Sequence, residues 1–231
     1  MPDLDRLDAL LVRQTVEVLE DRITARFPGR GVSRLATRLT ELVDDVAGTA
    51  PGINARRRAT RVLSRAAAAL ILVATAVAVV LGLRDSTQGD VEWLPLIETT
   101  INDLVFAAIA LFFLYSLPER LQRGRSLALL HRLRSLAHVV DMHQLTKDPE
   151  RFRVDFVATP RTLDPRLTPR EMEHYLGYCS EMLSLVGKTA ALVAEESRDD
   201  VVLDAVAGIE TLTTSLSRKI WQKISLLARI P

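Results

Sequence analysis

Two stretches of the chain are apolar on every helical face, while most of the remainder repeats apolar residues at helical spacing. From Ala66 to Leu83 the sequence reads AAAALILVATAVAVVLGL, 18 residues with no charge and Thr75 as the one polar side chain. At ~1.5 Å rise per residue such a helix is about 27 Å long, close to a hydrocarbon core of about 30 Å. A core helix of a soluble protein rarely stays apolar all round for that length. The second stretch, Leu104 to Pro118 (LVFAAIALFFLYSLP), has 15 uncharged residues, and Thr99 to Asn102 complete it at its outer end. The pattern predicts a first membrane span over about 63–83, an outer loop at 84–98 and a second span over about 99–118.

The flanking segments read as amphipathic helices. In the first 50 residues, Val12, Val16, Leu19 and Ile23 form a broad stripe with Leu4, Leu7, Leu11 and Val18. Phe27-Pro28-Gly29-Arg30-Gly31 breaks the pattern, and Val32, Leu35, Leu39, Leu42 and Val46 resume it until Ala50-Pro51-Gly52. Beyond Pro118 nothing but Gly124 interrupts the chain before His143, so the second span is expected to continue as a helix with Leu121, Leu127, Leu130, Leu133 or Leu136, and Val140 on its apolar side. Prolines at 149, 160, 165 and 169 exclude a long helix next. There Phe152, Val154, Phe156 and Ala158 alternate as in a short strand or extended strap.

Thr168-Pro169-Arg170-Glu171 is a helix start with a hydroxyl cap, proline at the first position and a carboxylate reaching back. Met172, Leu176, Cys179, Leu183, Val186, Ala190 and Val193 then follow at heptad spacing. Ser197-Arg198-Asp199-Asp200 caps a last helix striped by Val202, Val206, Ile209, Leu216, Ile220 and Leu227. The short link predicts an antiparallel pair, and Thr213 and Lys223 interrupt its seam, favouring bundle packing over a long coiled coil.

Charge orients the spans. Arg56, Arg57, Arg58, Arg61 and Arg65 precede the first with no acid among them, and Arg120, Arg123, Arg125, Arg132 and Arg134 follow the second. Between the spans, Arg84 stands against Asp85, Asp90, Glu92, Glu98 and Asp103. Basic flanks stay cytoplasmic, so both termini are expected inside a plasma (inner) membrane. The fold class predicted is all-α: a two-span transmembrane hairpin with a cytoplasmic helical bundle. Its parts are an N-terminal helical pair at 1–50, the hairpin at 51–118, and the extension, strap and C-terminal hairpin at 119–231.

Composition adds little to this. At 48% hydrophobic and 26% charged residues the chain lies in the globular range. A net charge of +1 argues against a nucleic-acid binder. Arginine supplies nearly all the positive charge, a coding bias of Arg- and Ala-rich bacterial genomes. The opening MPDLDRLDALL has acids where a secretory signal has a basic region, so no cleaved leader is expected. Cys179 is the single cysteine, which excludes an intrachain disulfide.

Candidate chemistry is sparse. No phosphate-binding glycine loop, nucleophile elbow or His-Glu-x-x-His occurs, and no enzyme activity or cofactor is expected. The nearest approach to a metal site is His131, His138 and Asp141 on one helical face, with Glu171 and His174 at the spacing used by di-iron bundles. Such bundles need that pair twice, and only one is present, so no metal is predicted. Ala74, Ala78 and Gly82 form a small-residue stripe for close helix packing. Arg120, Arg123 and Arg125 would meet anionic lipid headgroups. The reading favoured is a membrane-anchored, self-associating helical interaction or signalling module. The alternative is a homo-oligomeric channel with Thr99, Asn102 and Asp103 at its outer mouth and Phe106, Ala110 or Phe113 at a constriction.

Overall fold

The computed structural model describes residues 6–85, 93–164, 166–195 and 197–229, and within its helices leaves out the side chains of 48–61, 78, 79, 81–83, 85, 93–97, 99 and 100. Every regular element among the described residues is helical: α1 (Ala9–Arg26), α2 (Gly31–Asp85), α3 (Trp93–Leu145), a 3-10 turn (Pro149–Phe152), α4 (Pro169–Glu195) and α5 (Asp200–Leu227). The chain divides into two compact units, one made of 1–50 with 125–231 and the other of 51–124.

The first unit is a helical bundle. Asp8 caps α1 by accepting from Leu10 N at 2.8 Å, and the helix ends at Phe27, whose N–H donates to Ile23 O. Gly29 turns the chain with φ +70°, a left-handed conformation in which a Cβ is strained. Val12, Val16, Leu19 and Ile23 are buried, but Leu11 and Val18 are 57% and 58% exposed. The expected broad stripe is therefore narrower, because one helix buries only about a third of its circumference against its neighbours. Leu4 lies outside the described residues. Val32, Leu35, Leu39 and Leu42 face the core from α2, as do Leu130, Leu133, Leu136 and Val140 from α3.

All seven heptad positions of α4 are buried, and so are the six striped positions of α5. These two form the most extensive helix pair among those described. The α4 start is the reciprocal cap: Thr168 N donates to Glu171 Oε2 at 2.8 Å and Glu171 N to Thr168 Oγ1 at 3.2 Å. Asp199 caps α5 through Val201 N and Val202 N. Thr213 is buried opposite Gly187, where a Cβ would lie 3.2 Å from its hydroxyl, so a small residue lets the two helices approach around a polar side chain.

Two expectations give way. Ala50-Pro51-Gly52 does not end a helix, since α2 runs through it. A proline removes one helical hydrogen bond at a cost of about 3 kcal/mol without forbidding the helix, and the break appears instead as the boundary between the units at Pro51. No strand forms near Phe152. Proline at 149 and the Asp148 cap start a 3-10 turn, Arg153 N donates to Glu150 O, and Val154 and Val157 are 98% and 84% exposed. Among the described residues there is no second strand to bond with, and alternation alone cannot hold one.

In the second unit, α3 is uninterrupted by Pro118 or Gly124. Among the described residues one segment, Ile101–Phe152, is long and apolar enough to cross a membrane. Val62–Val77 of α2 is apolar but shorter, and part of the expected first span, including Ala78 and Gly82, lies outside the described side chains.

Candidate functional surfaces

No residue in the most apolar stretch of α3 is buried. Leu104, Phe106, Phe112 and Phe113 are each more than half exposed. Large apolar side chains exposed in succession along one helix are unusual on a soluble monomer. Two hydroxyls in the apolar segments bond back to their own helices: Thr75 Oγ1 of α2 donates to Ile71 O at 2.9 Å and Ser116 Oγ of α3 to Phe113 O at 3.2 Å. Hydroxyls bonded back to their own helix present no unmet donor to an apolar medium.

At the ends of this stretch, Asn102 and Asp103 are exposed, while the side chain of Thr99 is outside those described. Arg120 folds back so that its guanidinium lies 5.9 Å from the centre of the Phe113 ring. Arg123 and Arg125 are exposed on the following turn. Of the small-residue stripe only Ala74 has a described side chain, and it is exposed; of the constriction candidates, Phe106 and Phe113 are exposed and Ala110 is half-buried.

The histidine and carboxylate candidates do not converge. His131 and His138 are exposed, Asp141 accepts from Gln144 Nε2 at 2.6 Å, and Glu171 is occupied by the Thr168 cap. Among the described residues no three His, Cys, Asp or Glu stand together as a metal would need. His174 lies instead in a groove of about 670 Å³ between α1, α4 and α5. There Arg22 pairs with Glu181 at 3.0 Å and sits 5.3 Å over the Tyr178 ring, and Trp221 stands 59% exposed at the edge. Sequence reasoning missed Trp221; its one local signal is a large aromatic off the α5 stripe, and the groove needs three helices that periodicity does not bring together.

The polar interior is at the end of α3. Lys223 of α5 donates to Gln144 O at 2.9 Å and Lys147 O at 3.0 Å. Burial lowers its pKa, as it does that of Lys147, whose ammonium lies 5.0 Å from the centre of the Tyr175 ring. Beside them Cys179 is fully buried, and burial pushes its thiol up to about 12. A thiol in that state is an apolar filler with no nucleophilic character. The turn after α4 is likewise structural: Glu195 pairs with Arg6 at 3.4 Å and Asp199 caps α5.

Comparison with protein-family models, curated proteins and solved structures yields no match to this chain.

Proposed function

We propose that this protein is a membrane-anchored helical interaction module, in which a two-span hairpin in the plasma (inner) membrane holds a cytoplasmic bundle for assembly or signalling. The observation that carries the reading is the apolar stretch of α3, none of whose residues is buried, in a chain whose helical bundle has a buried core of its own. Lipid would cover that stretch, and the hydroxyls bonded to their own helices suit such a medium. The acidic loop would face outward and the two arginine-rich flanks inward, where Arg120, Arg123 and Arg125 would meet anionic headgroups. Self-association would use helix faces of the hairpin.

Reporter fusions test the placement. Alkaline phosphatase joined at residue 90 is expected to be active and a fluorescent protein joined at residue 231 to be bright, with the chain retained in membranes after carbonate washing. Release by carbonate, or an inactive phosphatase at residue 90, would sink the two-span reading.

The exposure of Asn102 and Asp103 at the end of the apolar stretch favours a second reading, a homo-oligomeric channel with an acidic mouth. Native mass spectrometry in nanodiscs separates the two. A closed ring with cation flux reduced by Asp103→Asn would select the channel, and a monomer or dimer without flux the anchored module.

A further inference from the structure

Helix α2 begins beneath a histidine. The imidazole of His143, in the last turn of α3, lies flush against Gly31, the first residue of α2. A Cβ at position 31 would stand 2.3 Å from His143 Cε1 and 2.8 Å from its Nδ1. Only a bare backbone admits the ring there. The α1–α2 turn thus meets the end of α3 through an imidazole, the one side chain whose ordinary pKa falls near neutrality.

The charged groups around this contact are mostly of one sign. Arg34, one turn into α2, and Lys147, beyond the end of α3, both act on the imidazole. Arg30 of the turn and Lys223 of α5 in turn face Lys147. From α4, Tyr175 and Cys179 approach Lys147 as neutral groups, since burial raises the pKa of both. The acids nearby act on other cations: Asp148 and Asp141 on Lys223, and Glu171, bonded into the Thr168 cap, on Arg30, while the charged groups that bear on the imidazole itself are Lys147 and Arg34.

We propose that His143 is a proton-operated latch between the N-terminal helical pair and the end of α3. Neutral, it seats on Gly31 and the turn is docked; protonated, it becomes a further cation between Arg34 and Lys147 and the turn lifts away. Lifting would part Phe27 from Tyr175 and Tyr178, to which it now stands edge-on at 5.6 and 6.2 Å. The latch lies within the bundle and does not rest on the membrane reading.

The sign follows from linkage. Burial, Lys147 and Arg34 hold His143 below its ordinary 6.5 in the docked state. The undocked state therefore binds more protons between the two values. Docking is at full strength above pH 6.5 and is lost as pH falls through the lower, docked value.

Hydrogen–deuterium exchange on the full chain in nanodiscs, at pH 7.5 and 5.5 and corrected for intrinsic rates, tests this. Peptides covering residues 27–35 are expected to lose protection at pH 5.5 while those in the middle of α5 keep theirs. In His143→Gln, protection over 27–35 is expected to be equal at the two pH values. Equal protection in the unmodified chain, or the same loss in His143→Gln, overturns the latch. Should His143→Gln fail to fold, Arg34→Gln decides: removing that cation is expected to move the midpoint of the loss upward toward 6.5, and an unmoved midpoint overturns the proposal.

Discussion

The ammonium of Lys223 closes the C-terminal end of α3 by donating to Gln144 O at 2.9 Å. It makes a second bond to Lys147 O, so a side chain of α5 adds a donor to Gln144 O, which also accepts from Lys147 N at 3.0 Å, and ties down the residue just beyond α3. A cation at that end also complements the helix dipole. Lys223→Met keeps the stem and deletes the donors. It is expected to lower the unfolding free energy by about 1–3 kcal/mol, read from the denaturant midpoint, with Lys223→Arg recovering part of the loss.

Core and surface positions of similar chemistry should part widely. Leu183, at a fully buried heptad position of α4, is expected to cost about 2–5 kcal/mol on truncation to alanine. Leu11, 57% exposed on α1, should cost within about 0.5 kcal/mol. Equal losses in chemical denaturation would show that the exposed face of α1 is covered in solution.

The glycines offer a paired test. Nothing lies within 4 Å of a Cβ at Gly177, so Gly177→Ala is expected to stabilise α4 by about 0.5–1 kcal/mol. Gly31→Ala would drive a methyl into the His143 ring and is expected to destabilise by about 1–3 kcal/mol. Thermal midpoints of the two variants should move in opposite directions.

Cys179 reports on global opening. In the folded chain at pH 8 it is expected to resist thiol reagents, and in denaturant to react as one thiol per chain. Its burial also sets an alkaline limit. The folded thiol ionises at about 12 against an ordinary 9.0, so its contribution to stability is complete below pH 9.0 and is lost as pH rises toward 12. Cys179→Ala should flatten that alkaline decline in denaturation measured across the same range.

Periodicity made the shared seam of α4 and α5 legible, but not the wider burial of α4, where Tyr175, Tyr178, Met182, Leu185, Thr189 and Leu192 are buried off the heptad line because α1 covers that helix as well as α5. It was less informative for α1, where Leu11 and Val18 match the apolar pattern but no neighbour covers them. Cap chemistry at Thr168 and Glu171 was readable because its partners are three residues apart. Lys223 and Thr213 looked like flaws in the α5 seam, since their partners, the α3 terminus and Gly187, are distant in sequence. The His143–Gly31 contact spans more than a hundred residues and left no local mark. His131, His138 and Asp141 show the converse, a shared helical face that gathers no site because two of the three point away from the core.

The division of the chain has a consequence for its biosynthesis. The bundle draws on residues 1–50 and 125–231, with the whole apolar unit made in between. Helix α1 packs on α4, which leaves the ribosome about 140 residues later, roughly 7–30 s at ordinary elongation rates. Through that interval Val12, Val16, Leu19 and Ile23 have no α4 to cover them. Nascent chains stalled before residue 169 should therefore recruit chaperones at the N-terminal pair, and chains stalled after release of α5 should not.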